Sequence, residues 1–110
     1  MKQGEIWQVS FSGEGHEYQG RRPALIIQSN KQLKVTTVVS VIPFTSRIDK
    51  RYADDIFVSK STENKLYHDS LIKVHHIQTF DKVRFIKKVG ELEPAILFEV
   101  QSYLQKHFGI

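Results

Sequence analysis

Residues 13–30 read GEGHEYQGRRPALIIQSN. Gly13, Gly15 and Gly20 break up the first half, so residues 13–22 are expected to form an irregular loop that Pro23 closes. The second half turns apolar at once, and residues 24–28 are expected to run as a buried strand. The loop carries His16, Glu17, Tyr18, Arg21 and Arg22, side chains that move protons, hold charge or donate hydrogen bonds. Polar groups on a loop held by a rigid strand are a common way for a scaffold to present chemistry.

Outward from this stretch, the chain reads as strands. Residues 5–11, EIWQVSF, alternate with period two. Ile6, Gln8 and Ser10 share one face and Trp7, Val9 and Phe11 the other, as in a half-buried strand. Residues 30–34 read as a polar turn. Residues 35–44, VTTVVSVIPF, are too continuously apolar for a one-faced strand and suit a central one, with regular pairing expected to end at Pro43. A polar loop follows at 45–52. Further strands are expected at 55–58, 70–77 and 86–92, with a tight helical turn at 79–85. Residues 94–108 carry the helical pattern. Pro94 suits the first turn, Leu97, Val100, Leu104 and Phe108 form an apolar stripe, and Gly109 is the stop. The reading is α+β, mostly β: a small curled antiparallel barrel with one C-terminal helix.

The chain has 110 residues, 40% of them hydrophobic and 25% charged, which fits one globular domain. No stretch approaches the ~20 apolar residues of a membrane span, and MKQGEIW lacks the apolar core of a signal peptide, so a cytoplasmic location is expected. The absence of cysteine excludes disulfides and thiolate metal sites. A net charge of +4 is a mild bias toward a polyanionic partner.

Read together, GEIWQVSF, GHEYQGRRPALIIQSN, VIPFTS and HDSLIKVHHIQTFDKVRFIKKVGEL resemble the MazF/PemK/Kid toxins of bacterial toxin–antitoxin pairs. The resemblance spans nearly the whole chain in order. It implies a single toxin domain over residues 1–110, an SH3-like β-barrel and a homodimer. It also implies an endoribonuclease that needs no metal or other cofactor and cuts single-stranded RNA. The partners implied are RNA, a second copy of the chain, and an antitoxin with an acidic disordered segment; no membrane is involved.

Such cleavage needs a base for the 2′-hydroxyl, an acid for the leaving 5′-oxygen, and a cation for the charge that builds on phosphorus. Arg22 matches the arginine of the family's RP motif, and its planar fork suits two phosphate oxygens. Thr45 matches the threonine after the long strand that helps hold the phosphate, with Ser46 beside it; each hydroxyl also suits a turn cap. His16 matches the histidine of the Kid-like branch. Glu17 matches a glutamate shared more widely, and is placed to act on protons or to orient Arg22. Where that branch has an arginine and an aspartate two residues apart, this chain has Lys73 and His75, so imidazole replaces carboxylate as the candidate base. On a regular strand Lys73 and His75 share a face and His76 points away. Arg21, Arg47 and Arg51 are further candidate RNA contacts, and Tyr18, Tyr52 and Tyr67 candidate stacking groups. Two alternatives stay open from this reading: a gyrase-poison type of protein-binding toxin on the same barrel, and a catalytically weak RNA-binding module.

Overall fold

The computed structural model describes residues 1–12 and 19–110. Among them are seven strands, β1 (Glu5–Ser12), β2 (Gln19–Ile26), β3 (Val38–Thr45), β4 (Ile56–Val58), β5 (Ser70–Ile72), β6 (Gln78–Asp81) and β7 (Phe85–Glu91). Two α-helices, the four-residue α1 (Asn30–Leu33) and the 15-residue α2 (Pro94–Phe108), and two 3₁₀ turns, at Ile48–Lys50 and Lys82–Arg84, complete the described elements. The strands form one antiparallel sheet in the order β4-β5-β3-β2-β1-β7, with β6 on β3.

The sheet buries apolar side chains in two clusters. On β3, Ile42 and Phe44 join one core cluster while Val39 and Val41 join the other. On β1, Ile6 belongs to the first cluster and Val9 and Phe11 to the second. Helix α2 covers the first cluster through Val100, with Ile96, Leu97, Tyr103 and Leu104 packed beside it. Phe108, the last residue of the expected stripe, stays 57% exposed. Gly109 ends the helix in the left-handed region (φ 69°), as its lack of a Cβ allows.

The sheet path has no β4–β7 pairing among the described residues. Residues 59–66 bridge the gap instead. Glu91 N–H donates to Glu63 O at 3.0 Å, and a Cβ on Gly90 would lie 2.3 Å from Asn64 O, so only glycine fits there. Asn64, fully buried, holds the bridge in shape. Its side-chain oxygen accepts from Ser61 N–H and Leu66 N–H, and its amide donates to Ser59 O and to the Glu93 carboxylate.

Four expectations are corrected. The loop ahead of residue 24 gives way early: β2 begins at Gln19, so Arg21, Arg22 and Pro23 lie on the strand, opposite Ser10, Val9 and Gln8. Ser29 caps Gln32 N–H at 3.2 Å, and the expected turn at 30–34 becomes α1. Pro43 ends pairing with β2, at Ala24, but not the strand. Phe44 and Thr45 continue onto β5. Last, 70–77 is not one strand. After Ile72, Lys73 N–H donates to Pro43 O at 3.1 Å and His76 N–H turns back to Lys73 O at 2.8 Å. A new strand, β6, starts at Gln78, so the helical turn expected at 79–85 shrinks to a 3₁₀ turn at Lys82–Arg84.

Candidate active site

The functional side chains fall into two groups joined by residues 46–55. The first lies where β2 and β3 diverge. Beyond their last pair, Ala24–Pro43, β3 runs on by two residues to Thr45, while β2 continues through Pro23, Arg22 and Arg21 to Gln19, paired only with β1. A concavity of about 390 Å³ opens there, lined by Arg21, Arg22, Ser46, Tyr67 and His68 over a floor of Phe44. Arg22 is half-buried and Arg21 exposed. Strand pairing on β1 fixes the backbone that carries both. Tyr67 stands 86% exposed at the rim, on the segment that Asn64 makes rigid.

Thr45 is 7% exposed, and its hydroxyl accepts Arg47 N–H at 3.1 Å, the turn-capping role. That bond still leaves the hydroxyl proton for another acceptor. Arg47 pairs with Asp49 at 3.7 Å with both side chains exposed, a contact worth little in water. Arg51 donates to the Asp55 carbonyl at 3.3 Å and so ties the loop to the second group.

The second group centres on Asp55, whose side chain is 0% exposed. Lys73 Nζ donates to its Oδ2 at 2.5 Å, and Tyr52 N–H donates to the same oxygen at 2.8 Å. The Tyr52 ring lies 4.3 Å from the Lys73 ammonium. Lys73 is itself 4% exposed. As the cation that stands in for the family's arginine, a candidate RNA contact, it was expected to share a strand face with His75. Instead its charge is spent on a buried carboxylate, because an unpaired ammonium inside the fold is far costlier than a paired one. With the strand broken after Ile72, His75 and His76 do not oppose each other either. Their rings meet at 4.3 Å, edge to face. Burial, and then the neighbouring charges of His75 and Lys73, push His76 below its ordinary value of 6.5 against the opposing pull of Asp55.

The structure thus gathers Arg21, Arg22 and Ser46 in one cleft, leaves Thr45 buried at the strand end beside it and off the cleft lining, and gathers Lys73 and His75 in another group. His16, Glu17 and Tyr18 lie outside the described residues. Asp55 and His68 were missed in the sequence. The one faint signal for Asp55 was Lys73, a lysine between Ile72 and Val74 in an apolar run, which needs a carboxylate partner if it turns inward. Among the described residues no group of three or more His, Cys, Asp or Glu is placed to hold a metal ion, and no helix is long and apolar enough to cross a membrane.

An antiparallel sheet with apolar clusters on two faces, one closing helix and an arginine-lined cleft between diverging strands defines a small, mostly β α+β protein. The chain belongs to the PemK-like, MazF-like toxins of type II toxin–antitoxin systems, whose family model matches residues 2–108. Among its relatives, the endoribonuclease MazF9 of Mycobacterium tuberculosis is 28% identical, over 100% of this chain and 98% of that protein. The endoribonuclease MazF of Staphylococcus saprophyticus is 30% identical, over 100% and 92%. In fold, the crystal structure of MazF from Deinococcus radiodurans superposes with a TM-score of 0.84 at 26% identity, covering 100% of this chain and 97% of that one. An endoribonuclease in complex with its cognate antitoxin, from a mycobacterial species, has the same fold at a TM-score of 0.71 and 19% identity, covering 100% and 94%.

Proposed function

We propose that this chain is the toxin of a toxin–antitoxin pair, a metal-independent endoribonuclease that cuts single-stranded RNA in the cytoplasm and so halts translation and growth. One observation carries the site. Two adjacent arginines on a strand fixed by its neighbours line a cavity large enough for a phosphate and part of a nucleotide. Relatives that match the whole chain carry the name endoribonuclease.

In the reaction, a base removes the 2′-hydroxyl proton, O2′ bonds to phosphorus, the P–O5′ bond breaks, and an acid protonates the 5′-oxygen. The products are a 2′,3′-cyclic phosphate and a 5′-hydroxyl. Arg22 holds the charge of the phosphorane with its two-pronged donor set. Ser46 adds a hydroxyl donor at the same cleft and Thr45 one beside it, His16 and, from the neighbouring group, His75 move the protons, and Glu17 orients Arg22 or acts on a proton. Arg21, Arg47, Arg51 and Tyr18 line the path of the strand. Lys73, paired with Asp55, is removed from the RNA contacts.

Residues 1–110 act as a single domain that works as a two-fold dimer. An antitoxin segment rich in Asp and Glu, disordered alone, lies in the cleft and competes with RNA. A solved neighbour in fold is an endoribonuclease bound to its own antitoxin. Single-turnover cleavage of an end-labelled RNA by the purified protein tests the reading, and the same rate with and without EDTA is expected. Growth arrest with no RNA cleavage would point instead to a protein-binding toxin.

A further inference from the structure

Among the described residues, the buried side-chain atom without a hydrogen-bond partner is Asp55 Oδ1. The other carboxylate oxygen, Oδ2, is fully engaged by Lys73 Nζ at 2.5 Å and Tyr52 N–H at 2.8 Å. Those two contacts fix the carboxylate plane. Oδ1 then faces His75 Nδ1 across 3.9 Å. That gap is too long for a hydrogen bond but closes to about 2.8 Å with a small swing of the ring. The imidazole is held on its flanks, edge-on to Tyr52 at 6.1 Å and to His76 at 4.3 Å. One third of the His75 side chain remains open to solvent. A buried acceptor without a partner, an imidazole nitrogen 3.9 Å from it and an outer side open to solvent together suit a histidine set up by a carboxylate.

We infer that Asp55 is a positioning residue for His75. It accepts the Nδ1–H of His75, which leaves the lone pair on Nε2. When Nε2 takes the 2′-hydroxyl proton, O2′ bonds to phosphorus and the P–O5′ bond breaks, with the 5′-oxygen taking a proton from water or from a second acid. Asp55 Oδ1 then holds the imidazolium by its Nδ1–H until Nε2 returns its proton to water. Lys73 serves the same end, because its ion pair holds Asp55 in place. The inference rests on the reading of this chain as an RNA-cleaving enzyme that uses His75.

Two measurements test it. Nitrogen-15 NMR of the histidine rings should show neutral His75 as the Nδ1–H tautomer in the native protein. The Nε2–H tautomer would overturn the inference, whatever the activity. In single-turnover cleavage, Asp55→Asn should lower the chemical rate about 10²-fold while changing substrate affinity less than about 2-fold. In a His75→Gln background the same Asp55→Asn change should have no further effect. Equal losses in both backgrounds, or a loss confined to affinity, would overturn it. Because Asp55→Asn leaves the Lys73 ammonium unpaired, the cycle is repeated with Lys73→Met present, which keeps the group neutral if the single variant does not fold. Full activity of His75→Gln would instead refute the use of His75, and an inactive native protein would refute the enzymatic reading; the tautomer decides the Asp55–His75 contact in either case.

Discussion

Arg22 and Lys73 are both cations beside core strands, yet the molecule treats them oppositely. Arg22 sits half-buried at the wall of a 390 Å³ concavity, with exposed Arg21 next to it and Ser46 across from it. Lys73 is 4% exposed, and its ammonium lies between a carboxylate and an aromatic ring. The arginine lines a cleft open to solvent and the lysine is consumed by the fold. Matching charge to charge along the sequence is therefore a poor guide to RNA contact. What surrounds the charge decides whether it can still attract a phosphate.

The largest expected effect comes from breaking the buried side of this contrast. Lys73→Ala leaves the Asp55 carboxylate buried and unpaired and should cost about 3–5 kcal/mol of stability, read from urea unfolding. A loss below about 1 kcal/mol would place Lys73 with the surface cations instead. On the open side, Arg22→Ala should reduce cleavage by about 10²-fold or more, about 2.7 kcal/mol of transition-state stabilisation. Arg22→Lys should recover little of it, since a point charge does not replace the fork. Tyr67→Ala sharpens the comparison at the cleft rim. If a base stacks on this ring, RNA affinity should fall by about 1–3 kcal/mol with stability unchanged, as removal of an 86% exposed side chain implies.

The smallest effect is one of pH, and it belongs to the buried group. Burial and the charges of His75 and Lys73 hold His76 below its ordinary 6.5. Between its folded value and 6.5 the unfolded chain binds a proton that the folded chain refuses. Its contribution to stability is therefore complete above 6.5 and is lost as the pH falls through the folded value. Urea unfolding from pH 7 down to pH 5 should show this decline, and His76→Gln should flatten it. Glu5 behaves alike at lower pH. Burial opposes its charge, but hydrogen bonds from Trp7, Lys2 and Lys88 outweigh that, and its acid stays below the ordinary 4.5.

Much of this was legible in the residues. Helix α2 runs over the expected residues because Pro94, the apolar stripe and Gly109 all agree. Strands β1, β4 and β7 lie within a residue of their expected bounds, since local alternation and burial coincide there. The misreading of residues 70–77 has a physical cause. SLIKVHHI carries strand-like composition throughout, and only a contact with Asp55, 18 residues away in the chain, decides that Lys73 turns inward. That one turn moved Lys73 out of the cleft and brought His75 and His76 together. Asp55 was hidden for the same reason. In YADDIFV it looks like one more solvated acid, and its burial is a property of the pair rather than of either residue.

The account stands on the attack of the 2′-hydroxyl on its own phosphate. An RNA carrying a 2′-O-methyl ribose on the 5′ side of the cut bond removes that nucleophile and leaves the phosphate and bases in place. The rate of cleavage at that bond, beside the unmodified RNA, is the direct test. The modified bond should not be cut, while the unmodified RNA yields a 2′,3′-cyclic phosphate and a 5′-hydroxyl. Cleavage of both at the same rate, with a 5′-phosphate on the product, would contradict the account.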